Sequence, residues 1–168
     1  RETASTRAVA GAAALAAAMD LWLWALNYLQ KAADPAGGKL YHSSRQGVTF
    51  PLADALCWLL AARYFVLDVL ELGEQGPASP VVAEGLDGLM EFYVDLAHVE
   101  CARAAGEATR VAVELVYGYA PESSDAHAEF ASLRSRVDAS LAGARLAKDR
   151  AAAALAKVMI PEALDYPI

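Results

Sequence analysis

Five side chains in the second half of the chain carry the densest grouping of ionisable chemistry. Glu84, Asp87, Glu91, Asp95 and His98 follow one another at spacings of three, four, four and three, so on a helix they share one face. Asp95 and His98 have the i, i+3 carboxylate–histidine spacing that holds iron in di-iron bundles. Such a centre needs a second pair on another helix, and His42 and His127 stand in or beside loop-forming sequence without one. The expected role of this stripe is an acidic solvated or interface face, and no metal is assigned to it. Arg103, Glu107, Arg110 and Glu114 alternate in sign at spacings of four, three and four, which reads as helix support or intersubunit pairing worth a few tenths of a kcal/mol per pair. Arg134, Arg136, Arg145, Lys148, Arg150 and Lys157 concentrate positive charge further on, as a solvated face or a surface for an acidic partner. There is no Ser-His-Asp set, P-loop or dinucleotide fingerprint, and Trp22, Trp24 and Trp58 read as packing.

The elements that must position these groups are all helical. Of the 168 residues 57% are hydrophobic and 21% charged, the balance of a well-packed globular chain with one domain over residues 1–168. Alanine supplies much of the apolar share, and its runs favour helices that approach closely. A first helix is expected from an N-cap at Ser5 or Thr6 to about Ala32, with Leu15, Met19, Trp22, Leu26 and Leu29 facing the core and Leu21, Leu23 and Trp24 left beyond that stripe. Asp34, Pro35, Gly37 and Gly38 break it. A second helix, starting near Thr49 to Pro51 and running over residues 52–72, carries charges that do not share a face, so other protein is expected to cover part of it. Gly73, Gly76 and Pro77 end it, and Ser79-Pro80 opens a third helix that continues to Tyr117. Gly118, Pro121 and Glu122 mark the next stop. A fourth helix is expected over 125–159, burying Phe130, Leu133, Val137, Leu141 and Ala144, before Pro161. Four long helices with short connections give an all-α antiparallel four-helix bundle.

A net charge of −7 repels phosphate backbones, which argues against nucleic-acid binding. The apolar stretch from Ala8 to Leu29 holds Asp20 at its middle, where a charge costs roughly 2.5–3.5 kcal/mol on insertion scales, so a bundle helix is expected rather than a membrane span. Cys57 and Cys101 lack a C-x-x-C spacing and read as buried reduced thiols in a cytoplasmic protein. The opening at Arg1 rather than Met reads as a fragment or a processed piece.

The stretch Gln46-Gly47-Val48-Thr49-Phe50-Pro51-Leu52-Ala53-Asp54-Ala55, with Ala62-Arg63 following, resembles a helix of the acyl-CoA dehydrogenase family. That family has a glutamine, an F-x-L-A-D/E block and an A-R pair in the same spacing. Ala102 to Glu107, through Ala112-Val113-Glu114-Leu115-Val116-Tyr117-Gly118-Tyr119, resembles the family's next long helix and the glycine turn that ends it. Ser5 to Tyr28 resembles the helix that opens the same C-terminal domain. Three helices in the right order cover most of the chain.

The resemblance implies a C-terminal helical domain that packs against the other domains or subunits of a flavoprotein, forms the core of a homo- or hetero-oligomer, and touches the adenine–pyrophosphate part of FAD partly across a subunit boundary. Gln46 matches the glutamine that contacts the cofactor. Glu114 stands where a second such glutamine is expected, and Gly118 matches a glycine of the turn. The family's R-x-x-F-G arginine is missing, with Lys31 or Arg45 as its substitute. The implied reaction is α,β-dehydrogenation of an acyl-CoA thioester. Its catalytic glutamate falls either where this chain has Thr6 or in a late turn that this chain lacks, and Glu122 is too early to be that residue, so no base is assigned. The alternative is a cofactor-free oligomerisation or interaction module descended from the same family.

Overall fold

In the computed structural model, residues 6, 9–76, 86–119 and 126–158 are described. Among them run α1 (Ala12–Lys31), α2 (Gln46–Gln75), α3 (Leu86–Tyr119), α4 (Ala126–Ser140) and α5 (Ala144–Val158), with no strand and one isolated bridge between Ala33 and Lys39. The architecture is an all-α bundle whose fourth member is bent into α4 and α5. α1–α2 and α2–α3 run antiparallel, so α1 and α3 are parallel, and three sets of contacts join the members. The Trp22 indole N–H donates to the carbonyl of Leu52 at 3.0 Å, while Leu15 and Met19, earlier in α1, line a groove with Val66 and Leu70, later in α2. Gly73 near the end of α2 faces Met90 near the start of α3. Arg136 of α4 reaches Asp20 of α1 at 3.0 Å.

α3 is the central member and packs on all four other helices. Its buried residues are mostly small, with Ala97, Cys101, Ala104, Ala105, Ala108 and Ala112 at 0–1% exposure. Small side chains let neighbouring backbones approach closely while each keeps good helix propensity. α1 answers with Ala14, Ala18, Leu21 and Ala25, all at 0%. Its core stripe is therefore wider than the expected one. Leu15, Trp22 and Leu29 are buried and Met19 and Leu26 partly so, but Leu21 is fully buried rather than left over, and Trp24 stacks on Tyr28 and leans on Phe130, both centroids 5.4 Å away. Of the three expected extras, Leu23 remains exposed.

Two glycines set where helices break. The Ala10 N–H donates to the Thr6 carbonyl at 2.9 Å, so a helical turn precedes Gly11; Ser5 lies outside the described residues. At Gly11 φ is +82°, and a Cβ there would meet Cys101 Cβ and His98 Cα at 3.0 Å. α1 thus begins at Ala12, not at Thr6, because α3 crosses too close for any side chain and the left-handed backbone suits glycine. Gly143, at φ +85°, divides the expected fourth helix by its left-handed backbone, with His98 Cε1 at an ordinary 3.7 Å from where a Cβ would lie. Phe130 and Val137 are buried as expected, but beyond the break Ala147 and Ala151 replace Leu141 and Ala144 as the most buried positions.

Other boundaries also move. α2 starts at Gln46, one turn before Pro51, which sits inside the helix. Its ring removes one N–H and leaves the Gly47 carbonyl to solvent, at an exposed position where that costs little. The helix passes Gly73 and stops at Gly76, whose N–H donates to the Leu72 carbonyl. α3 runs unbroken through Gly88 and Gly106 to Tyr119. Its expected start at Ser79-Pro80, like Pro77, Pro121, Glu122 and Pro161, lies outside the described residues.

Candidate functional site

The corner between α1 and α2 is built around Asp34. Its carboxylate accepts hydrogen bonds from the Ala36 and Gly38 N–H groups at 2.9 and 2.8 Å and pairs with the Arg45 guanidinium. The Gly38 N–H, first, and then Arg45 hold its pKa below the ordinary carboxylate range. Leu40, fully buried, anchors the same loop to the core. Arg45 is thereby committed to closing the loop. Gln46 next to it is exposed and opens α2.

Glu114 and Gly118 lie near the end of α3. Arg103 stacks over Trp58 at 4.5 Å and Gly73 faces Met90, so the antiparallel pair places the first turn of α2 and the last turns of α3 at one end of the bundle. All four residues implied by the family resemblance therefore share that end. They do not share a pocket: Glu114 lines a shallow groove between α3 and α4 with Thr109, Arg110, Arg134 and Asp138, which Gln46 does not reach. The Glu114 carboxylate accepts from Arg110 at 3.2 Å. Gly118 is an exposed helical residue with open space around its missing Cβ, and the turn expected after it lies outside the described residues.

The ionic stripes read from the sequence are largely consumed within the fold. Asp95, 8% exposed, receives both a 2.9 Å bond from Arg150 Nε and a second from Nη2, a bidentate pair tying α5 to α3. Arg136 is bound to Asp20, and Arg134 and Arg145 face Asp138 and Asp149 at 3.9 and 3.7 Å. Arg110 bridges Glu107 and Glu114, whereas Arg103 leaves that series for the Trp58 ring. His98 sits between Gly11 and Gly143; burial lowers its basicity, with Asp95 opposing and Arg150 adding to that shift. His42 contacts Ser44 Oγ at 2.8 Å, and His127 stands edge-on to Tyr117. The three histidines are in three places, and among the described residues no three His, Cys, Asp or Glu side chains converge. Glu84 lies outside the described residues. Cys101 is buried, its thiol pushed up to about 12, but Cys57 is exposed, contrary to the expectation for both thiols. α2 packs its other side on α1 and α3, and its outward turn carries position 57 away from them.

The feature not located from sequence is the outer face of α2. Phe50, Ala53, Cys57, Leu60, Tyr64 and Leu67 are all exposed, Phe50 and Tyr64 at 59% and 58%. They recur at spacings of three, four, three, four and three, the period of a helix–helix seam. That spacing was legible in the sequence, but the helix is apolar on its inner face as well, where Val48, Leu52, Ala55, Leu59, Ala62 and Val66 are buried. Two apolar faces on one helix hide the phase of each. α1 is itself long and apolar enough to cross a membrane by length and composition; here its buried face forms the core of the bundle. No protein-family model, curated protein or solved structure matches the chain.

Proposed function

We propose that this chain is an assembly domain: the helical C-terminal-type bundle of an acyl-CoA dehydrogenase-like flavoprotein, whose work is to hold other protein against α2. The observation that carries this reading is the α2 outer face, four large apolar residues (Phe50, Leu60, Tyr64, Leu67) at 38–59% exposure, of which Tyr64 has the Arg63 guanidinium over its ring at 5.6 Å. Apolar surface left in water forfeits about 25 cal/mol per Å², and a contiguous patch of this kind marks an interaction site. The ordered resemblance of three helices supplies the family. Acyl-CoA dehydrogenation itself would be performed with the other domains or subunits, and the two unpaired thiols fit a cytoplasmic setting.

The cofactor part of the reading is narrower. Gln46 has a free, exposed carboxamide that can both donate and accept at the edge of FAD. Arg45 is shared with Asp34, and the Glu114 carboxylate accepts but cannot donate and repels a pyrophosphate. Together with Gly118 these residues do not make a pyrophosphate site, so positive charge for that group must come from another domain or subunit. These same observations favour the second reading, a cofactor-free interaction module. Purification from the native host distinguishes the two. A complex with flavin absorbance is the expected result, a colourless complex selects the interaction module, and a colourless chain with no companion overturns both.

A further inference from the structure

Independently of that assembly reading, we propose that α5 is a latch hinged at Gly143, clasped by Arg150 to Asp95 of α3, and released when His98 takes up a proton. The hinge, the slight seat of α5 and the place of His98 between them carry it.

Gly143, at φ +85°, separates α4 from α5 in a backbone state that glycine enters without strain. The helices on its two sides are held differently. α4 packs mainly on α1 and buries Phe130 and Val137 completely, whereas α5 packs on α3. Among its described side chains α5 buries two alanines, Ala147 and Ala151, while Leu146 and Leu155 stay 63% and 49% exposed. Alanine burial stabilises far less than leucine burial. Towards its end an open recess of about 500 Å³, lined by Val9, Phe92, Val94, Ala153 and Ala154, lies between α5 and α3. A helix of 15 residues is marginal on its own. The bidentate Arg150–Asp95 pair is the one ion pair that ties α5 to α3 among the described residues.

His98 lies one turn beyond Asp95, at the hinge. Its Cδ2 is 3.0 Å from where a Gly11 Cβ would lie and its Cε1 is 3.7 Å from where a Gly143 Cβ would lie, so the ring edge that carries Nε2 sits between the two helix breaks. The charges that act on it are Asp95 from its own helix and Arg150 from α5. Residues Val9 to Gly11 before α1, and Ser140 to Ala144 at the hinge, bring none. Of the other charges on these helices, Glu91 stands two turns back along the recess, Glu100 turns to Trp58, and Lys148 is exposed. Asp138 and Arg145 face Arg134 and Asp149.

With α5 seated, a proton on His98 is opposed twice. The imidazolium gives up water against the two glycine backbones, and it shares Asp95 with a second cation, Arg150. With α5 away, His98 regains water, and Asp95 pairs with the imidazolium at i, i+3. One proton thus exchanges the partner of Asp95. The open state takes up that proton before the closed state does, so falling pH favours opening.

Hydrogen exchange on the full chain, read by mass spectrometry and corrected for intrinsic rates, tests this. Between about pH 7.5 and about pH 5.5, α5 should lose protection by about three- to tenfold relative to α4, since one proton changes an equilibrium by at most about tenfold per pH unit. His98→Gln should keep α5 protected at both values. Arg150→Gln, at a side chain 57% exposed, should leave α4 protected and α5 unprotected at both. Three results overturn the proposal: a wild-type α5 that responds no more than α4, a pH response retained in His98→Gln, or an α5 as protected in Arg150→Gln as in the wild type. If His98→Gln does not fold, the wild-type comparison and Arg150→Gln decide.

Discussion

The α1–α3 seam and the α2 outer face are both apolar, helical and regular, yet one is closed and the other open. In the seam, alanines dominate, and Ala14, Ala18, Leu21 and Ala25 of α1 and Ala97, Cys101, Ala104, Ala105, Ala108 and Ala112 of α3 are at 0–1% exposure. On the outer face, the large Phe50, Leu60, Tyr64 and Leu67 stand on either side of the small Ala53 and Cys57 and stay between one third and two thirds exposed. Small residues allow two helices to meet backbone to backbone within one chain, where connecting loops hold them in place. Large knobs with gaps between them await a surface of matching relief. Residue size, more than hydrophobicity, separates the part of this molecule that makes the fold from the part that is left to make contacts.

The sharpest way to break that distinction is to truncate one phenylalanine from each region. Phe130 is 0% exposed and is held by Trp24 and by the edge of Tyr117, at 5.4 and 5.1 Å. Phe130→Ala should cost about 3–5 kcal/mol of unfolding free energy by urea titration, the usual range for a buried aromatic removed from a packed core. Phe50→Ala, at 59% exposure, should stay within about 0.5 kcal/mol when measured on dilute protein. Comparable losses at both positions would mean that the outer face is covered within the chain itself.

A smaller effect sharpens the seam. Gly11 combines φ +82° with a missing Cβ that would lie 3.0 Å from Cys101 Cβ and from the His98 backbone. Gly11→Ala adds both left-handed strain and a contact that α3 must yield to, and should cost about 1–3 kcal/mol. Gly37, at the same φ of +82° but with nothing within 4 Å, is the control. Gly37→Ala should show the strain component alone, about 1–2 kcal/mol. The difference between the two variants measures how closely α1 and α3 are packed.

Helix content and order, and part of the buried stripes of α1 and α4, were legible in the sequence because alanine runs and proline–glycine stops act locally. The positions where that reading failed are set by neighbours distant in sequence. Gly11 looks like a tolerable single glycine inside a helix until α3 is placed against it. Leu21 reads as surplus, yet it is fully buried in the core. Arg103 belongs to an alternating ion series by spacing, but the Trp58 ring across the α2–α3 contact claims it. Arg45 could be singled out as a candidate cofactor contact, while its pairing with Asp34 depends on how the intervening loop folds back. The common end of Gln46, Glu114 and Gly118 follows from antiparallel topology. Their separation into different faces required side-chain directions.

The smallest expected effect concerns pH, and it links the seam to the corner. Burial lowers the folded-state basicity of His98 from its ordinary 6.5, and hydrogen bonds from Gly38 and Arg45 lower the folded-state pKa of Asp34 from 3.8. In each case the unfolded chain takes up a proton before the folded one does. Stability rises with pH wherever the unfolded state binds more protons, so both groups contribute fully above their unfolded values and lose that contribution as pH falls below them. Two acid steps are expected, the first beginning below 6.5 and the second below 3.8. His98→Gln should remove the first step and leave the second, seen as a flattened dependence of the urea midpoint on pH across the mildly acidic range. Asp34→Asn should do the reverse. If His98→Gln left the mildly acidic slope unchanged, His98 would have to be as accessible to protons in the folded bundle as in the unfolded chain, and the tight crossing of α3 over Gly11 would be wrong.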